Sequence, residues 1–179
     1  MILNVTGDTT NSGTITGGSA NITFGGDYLG ATGTLNAPAS ANSISFRGAT
    51  TTLNTFSANN GTVIFDGTAA QALNPGSATF HNLTVNKTGG TFTVNTNNLN
   101  CGAGGTLTLT ASAGATFNTP VNTPTLANSA GAFPIAFNAN TDITGVASTT
   151  LGTTGAVTRG NDAGDTLTFT NGLTATNAT

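Results

Sequence analysis

Three segments decide the fold: Asn21-Ile22-Thr23-Phe24-Gly25-Gly26, Ser43-Ile44-Ser45-Phe46-Arg47-Gly48 and Thr62-Val63-Ile64-Phe65-Asp66-Gly67. They share one pattern: a polar residue, a β-branched residue, any residue, Phe, any residue, Gly. Side chains alternate across a strand, so the β-branched residue and Phe share one face and the polar positions take the other. Gly then supplies the turn. The three Phe residues recur at about twenty positions, the size of a supersecondary unit that buries its apolar face only by stacking on its neighbours. The pattern predicts a β-solenoid whose coils each contribute two or three short strands, with Phe, Ile, Val and Leu inward. At about 4.8 Å per coil, some nine coils make a rod on the order of 40 Å long.

Outward from these segments, alternating runs continue along the chain, among them Ile2–Thr6, Gly13–Thr16, Thr51–Phe56, Ala78–Val85, Thr106–Thr110, Ala115–Phe117, Ile143–Val146, Asp165–Thr170 and Leu173–Thr176. Gly, Asn, Asp and Pro punctuate them, as all-β chains require. No window carries a helical apolar stripe. The period is ragged after Phe80, and 127–140, with Pro134 and clustered Ala, reads as an insertion or irregular corner. No linker divides the chain, so 1–179 is expected to be one all-β domain or a segment of a longer repeat protein. A β-sandwich resembling a pilus subunit is the alternative; it shares the strand number but not the repeat at Phe24, Phe46 and Phe65.

Composition supports the same class. Charged residues make up 5% of the 179, against roughly 25% in a typical soluble domain. Glu and Trp are missing, and the only cations are Arg47, Lys87 and Arg159. Thr is stiff at Cβ and suits a pleated surface, while Gly and Asn suit turns. Three scattered cations build no phosphate-neutralising surface, so nucleic acid is not an expected partner. No apolar run reaches the length of a membrane-spanning helix. Met1–Thr6 has neither the basic nor the long apolar region of a signal peptide.

Residues 61–94 contain the string Phe65-Asp66-Gly67-Thr68-Ala69-Ala70-Gln71 and, further on, Thr79-Phe80-His81-Asn82-Leu83-Thr84-Val85-Asn86-Lys87. This stretch resembles the Thr/Asn/Gly-rich repeats of large secreted bacterial surface proteins and adhesins. The resemblance implies a β-solenoid and a place outside the cell or on its surface. It implies no ligand.

Candidate chemistry is sparse. Cys101 is the one cysteine and His81 the one histidine; together they supply neither a tetrahedral zinc site nor a triad. Cys101 reads as a small buried residue, with an intermolecular disulfide between copies as its functional reading. His81 is expected on a strand, opposite Phe80 and toward solvent. The carboxylates are Asp8, Asp27, Asp66, Asp142, Asp162 and Asp165; all but Asp142 neighbour Gly or Asn in expected turns. A sugar-cleaving site would need two of them converging in a groove, usually with aromatic platforms, and Tyr28 is the sole non-Phe aromatic. The stretch 160–167 faintly resembles one copy of a calcium-binding nonapeptide, in which Asp162 and Asp165 would be ligands. Such sites need tandem copies, so a turn closed by Asp side chains is the expectation. Sequons at Asn4, Asn21, Asn60, Asn82, Asn86 and Asn177 match chance in so Thr-rich a chain. Hydroxyl alternation at Thr106–Thr110 raises ice binding, which needs Thr in register on one flat face; the irregular spacing argues against it.

No catalytic, cofactor or metal residue is therefore assigned, and the chain is not expected to be an enzyme. Ile2–Thr6 and Leu173–Thr176 are uncharged and strand-like, without the features that blunt an open edge. The expected function is a structural component of an extracellular filament, stalk or cell-surface layer, joined to other copies by strand addition at these ends. The alternative is an adhesin-type module that binds a glycan or protein at a cell surface.

Overall fold

A computed structural model describes residues 2–110, 113–129, 131–144, 149–160 and 162–175. Among these the chain forms strands and no helix. Every strand pairing is parallel. Parallel neighbours reached by short corners are the mark of a β-solenoid, and the chain completes about eight turns. A sandwich is built from antiparallel sheets, so the alternative architecture is overturned.

Each turn lays strands on three faces. The first carries Ile2–Val5, Asn21–Phe24, Ser43–Phe46, Thr62–Phe65, then the ends of Thr79–Val85 and Leu99–Leu109, then Thr125–Asn128. The second runs Thr9–Thr10, Tyr28–Leu29, Thr50–Thr52, Gln71–Asn74, Phe92–Val94, Ala115–Phe117, Ile135–Phe137 and Val157–Arg159. The third begins with Thr14–Thr16, Thr34–Asn36 and Thr55–Ser57. It continues through Thr79–Phe80, Leu99–Cys101, Val121–Thr123, Thr141–Ile143 and Leu167–Phe169. Two further strands, Thr149–Leu151 and Leu173–Ala175, pair below Thr125–Asn128.

The inward side chains form one core. Phe24, Phe46 and Phe65 stack with ring centroids 5.4 and 5.5 Å apart. The column then passes to Phe92 at 4.9 Å, Phe117 at 6.2 Å and Phe137 at 5.3 Å. Such contacts add to the burial of the rings themselves. The Gly of the Phe-x-Gly pattern has a steric cause. A Cβ on Gly48 would lie 2.2 Å from the carbonyl oxygen of Gly26, and one on Gly67 would lie 2.5 Å from that of Arg47. At this corner backbone stacks directly on backbone.

Several expectations need correction. The run 51–56 is two strands, Thr50–Thr52 and Thr55–Ser57, with Leu53 and Asn54 turning between faces. The stretch 127–140 is regular enough to hold the end of Thr125–Asn128 and all of Ile135–Phe137. The strands Gln71–Asn74, Val121–Thr123 and Thr141–Ile143 escape the alternation criterion, because three or four residues give too short a period to read. The ends of Ile143–Val146 and Leu173–Thr176 lie outside the described residues.

Candidate functional site

The most heavily built polar site is a corner between the first and second faces. Lys87, which follows the strand Thr79–Val85, turns inward and is 2% exposed. Its Nζ donates to the carbonyl oxygens of Gly67 and Ala69, each at 2.7 Å, and to Oε1 of Gln71 at 2.9 Å. Gln71 is buried too; its Nε2 donates to the carbonyls of Phe46 and Gly48, both at 2.9 Å, and its Oε1 also accepts from the Gly67 amide. Burial pushes the Lys87 pKa below its ordinary value, and the nearby Asp66 carboxylate offsets part of that. The corner thus ties three successive turns through two side chains. Nothing in it faces a groove, so its chemistry is that of a structural clamp. In the sequence Lys87 is legible only as one of three scattered cations; the signal that marks it is Gln71, at the end of the Phe-Asp-Gly-Thr string one turn earlier.

Two of the acidic residues, Asp8 and Asp27, border one hollow. Asp8 and Asp27 sit one turn apart at the same edge of the solenoid. Oδ1 of Asp8 accepts the Asp27 amide and Oδ1 of Asp27 accepts the Thr50 amide, each at 2.9 Å. They flank a shallow hollow of about 340 Å³ lined also by Thr10, Leu29 and Thr52, with no aromatic platform beyond the buried Tyr28. Asp66 pairs with Arg47 at 3.0 Å on the surface. Asp142 stands on the third face. Asp165 closes a turn, its Oδ2 accepting the Asp162 amide at 3.1 Å while its carbonyl accepts from Arg159. This is the side-chain-closed turn expected for 160–167; Asn161 lies outside the described residues. Among the described residues no three His, Cys, Asp or Glu side chains gather as metal ligands.

His81 sits partly exposed in a bulge, where pairing shifts register between Phe80 and Asn82. The next turn passes over it with Gly104 and Gly105; a Cβ on Gly105 would lie 2.3 Å from the His81 carbonyl oxygen. Cys101 is buried in the third face. Burial pushes that thiol up to about 11, with a hydrogen bond involving Thr123 as a smaller opposing influence. Of the sequons, Asn4, Asn21, Asn60 and Asn86 are exposed and Asn82 is half-buried; Asn177 lies outside the described residues.

The two ends of the described stack differ from its middle. At one, Ile2 and Leu3 are 63% and 46% exposed. At the other, Leu151, Ala156, Val157, Leu167, Leu173 and Ala175 line an apolar cleft of about 250 Å³. No helix among the described residues is long and apolar enough to cross a membrane. No family model, curated protein or solved structure matches this chain.

Proposed function

We propose that this chain is a non-catalytic structural element of an extracellular filament, stalk or cell-surface layer, which associates with other copies through its outermost strands. One observation carries the reading. Among the described residues, Ile2–Val5 pairs on one side and exposes Ile2 and Leu3, and an apolar cleft lies beside Leu167–Phe169 and Leu173–Ala175. Such edges template further pairing. A joint that continues the parallel ladder from one end of the stack to the other is heterologous, head to tail, and generates an open filament rather than a closed dimer. The sparsely charged strands and side-chain clamps between turns suit a rod that keeps its shape across pH and salt.

The test is electron microscopy and sedimentation of the purified chain over about a hundredfold range of concentration. Rods that lengthen with concentration and show an axial repeat of one subunit are expected, and Leu3→Lys is expected to abolish them. Single particles at every concentration, with both outermost strands protected from hydrogen exchange, would overturn the proposal.

A further inference from the structure

We infer that the first face of the solenoid is an ice-binding surface, recognising ordered water through a two-rank grid of hydroxyl and amide side chains. The inference goes beyond the structural role and rests on different residues. The objection raised by the sequence, irregular spacing, is answered by where the irregularity resides. Paired residues are separated by 19 positions from Ile44 to Val63 and by 24 from Leu83 to Leu107, yet the strands pair one to one. Corners and the His81 bulge absorb the difference, so the face itself stays in register.

Two outward positions per strand build the grid, because Ile22, Phe24, Ile44, Phe46, Val63, Phe65, Leu83, Val85, Leu107 and Leu109 take the inward ones. One rank runs Asn21, Ser43, Thr62, Asn82, Thr106, Thr125. The other runs Thr23, Ser45, Ile64, Thr84, Thr108, Ala127, with Ser45 buried and Ile64 and Ala127 as apolar gaps. Strand geometry spaces the two ranks about 6.6 Å apart along each strand, and neighbouring turns about 4.8 Å apart. A grid of these dimensions is close to the oxygen repeat on a prism face of ice. Thr fits such a grid because its stiff χ1 holds hydroxyl and methyl in place before contact, so little side-chain freedom is lost on binding.

Charge on this face is confined to one border. A carboxylate or ammonium orders water around itself and competes with the ice lattice. None of the nine charged residues projects from the grid. Arg47 and Asp66 take the next outward position after Ser45 and Ile64, where the ladder continues, and pair with each other at 3.0 Å between turns. Lys87 turns inward at the corner, Asp8 and Asp27 follow at that same edge, and Asp142 is on the third face. Arg159 ends the second face, and Asp162 and Asp165 lie in the turn after it. The second face offers the rank Thr50, Ala72, Thr93, Thr116, Ala136, Thr158, interrupted twice by Ala, beside a second of Leu29, Thr52 and Asn74.

The test uses the whole chain and pure ice. The protein is expected to be taken into a slowly growing ice hemisphere, to shape ice crystals and to slow recrystallisation. Thr84→Lys is expected to lower these activities by about tenfold or more, as when a charge enters the centre of an interface. Thr93→Lys makes the same chemical change on the second face and is expected to leave them intact, with matching melting temperatures showing that both variants fold. Ile64→Thr is expected to raise activity by filling the gap in the middle of the second rank. Exclusion of the parent chain from ice, as for a non-binding protein, would overturn the inference. So would equal loss in the two lysine variants, or retention on a crystalline polysaccharide with no effect on ice.

Discussion

At the residue scale, Lys87 and Cys101 are buried groups whose surroundings make opposite demands. Lys87 holds three oxygen acceptors that have few other donors. Replacing a buried ion by an apolar side chain is tolerated when its partners are replaced as well, and is costly when they are left behind. Lys87→Met leaves the carbonyls of Gly67 and Ala69 unpaired, so a loss of about 3 kcal/mol is expected. Denaturant midpoints of parent and variant measure it; equal midpoints would mean that the ammonium contributes no net stability. Cys101 is tested by pH. Its thiol pKa is raised from 9.0 to about 11, so the folded state holds the proton more tightly than the unfolded state does. The resulting stability is complete below about pH 9 and is lost as pH rises through about 11, a fall of about 2 to 3 kcal/mol. Lys87, with its pKa lowered, acts in the other direction over the alkaline range, while Tyr28, raised by burial, acts with Cys101. The quantity to measure is therefore the stability difference between the parent and Cys101→Ala from pH 8 to pH 11. A difference that stays flat with pH would show that burial of the thiol does not govern its titration.

At the scale of the element, the repeated strand-and-corner is where sequence and structure can be compared residue by residue. The strand half of the motif is legible because two inward positions separated by one outward position survive in all three copies, ending at Phe24, Phe46 and Phe65. The Gly is legible as a turn, but not as a contact, since its reason lies in a backbone one turn away. Gly48→Ala places a methyl 2.2 Å from the Gly26 oxygen, whereas a Cβ on Gly13 meets nothing within 4 Å. The corner variant is expected to lose about 2 kcal/mol or more through backbone displacement, and Gly13→Ala less than about 0.5 kcal/mol. Thermal melts of the two single variants check this; similar melting temperatures would show that the corner relaxes at little cost. The short strands Thr9–Thr10, Tyr28–Leu29 and Val121–Thr123 stay hidden because their period is defined by partners above and below, not by neighbours in the chain. The grid on the first face is hidden for the same reason: gap lengths vary in the sequence, while register is set by hydrogen bonding between turns. Side-chain ladders share this property. Asn95, Asn118 and Asn138 pass an amide hydrogen bond from turn to turn at 2.7 Å, though in the chain nothing distinguishes them from other loop residues.

At the scale of the whole molecule, a stack in which each turn touches only its neighbours has a nearly one-dimensional stability, a sum of turn and junction contributions. The Phe column makes those junctions unequal. It runs unbroken along the first face from Phe24 to Phe65, crosses to the second face at Phe92, and continues through Phe117 to Phe137. Phe92 is fully buried and is the one ring in contact with both segments of the column, 4.9 Å from Phe65 and 6.2 Å from Phe117. Truncating it removes both contacts and leaves a cavity, a cost of about 3 to 5 kcal/mol. In a globular core that cost would be shared by the whole domain; in a stack it falls on the junction between the turns before and after residue 92. Phe92→Ala is therefore expected to unfold in two steps, with amides of Asn21–Phe24 and Ser43–Phe46 exchanging on a different schedule from those of Ala115–Phe117 and Ile135–Phe137. Phe24→Ala, nearer one end of the column, is expected to loosen its own turns while the rest still unfolds as one unit. Hydrogen exchange followed by mass spectrometry on the three proteins separates the cases. A single cooperative transition in Phe92→Ala, with every strand losing protection together, would show that the backbone ladders alone couple the two halves of the stack and that the column contributes stability without transmitting it.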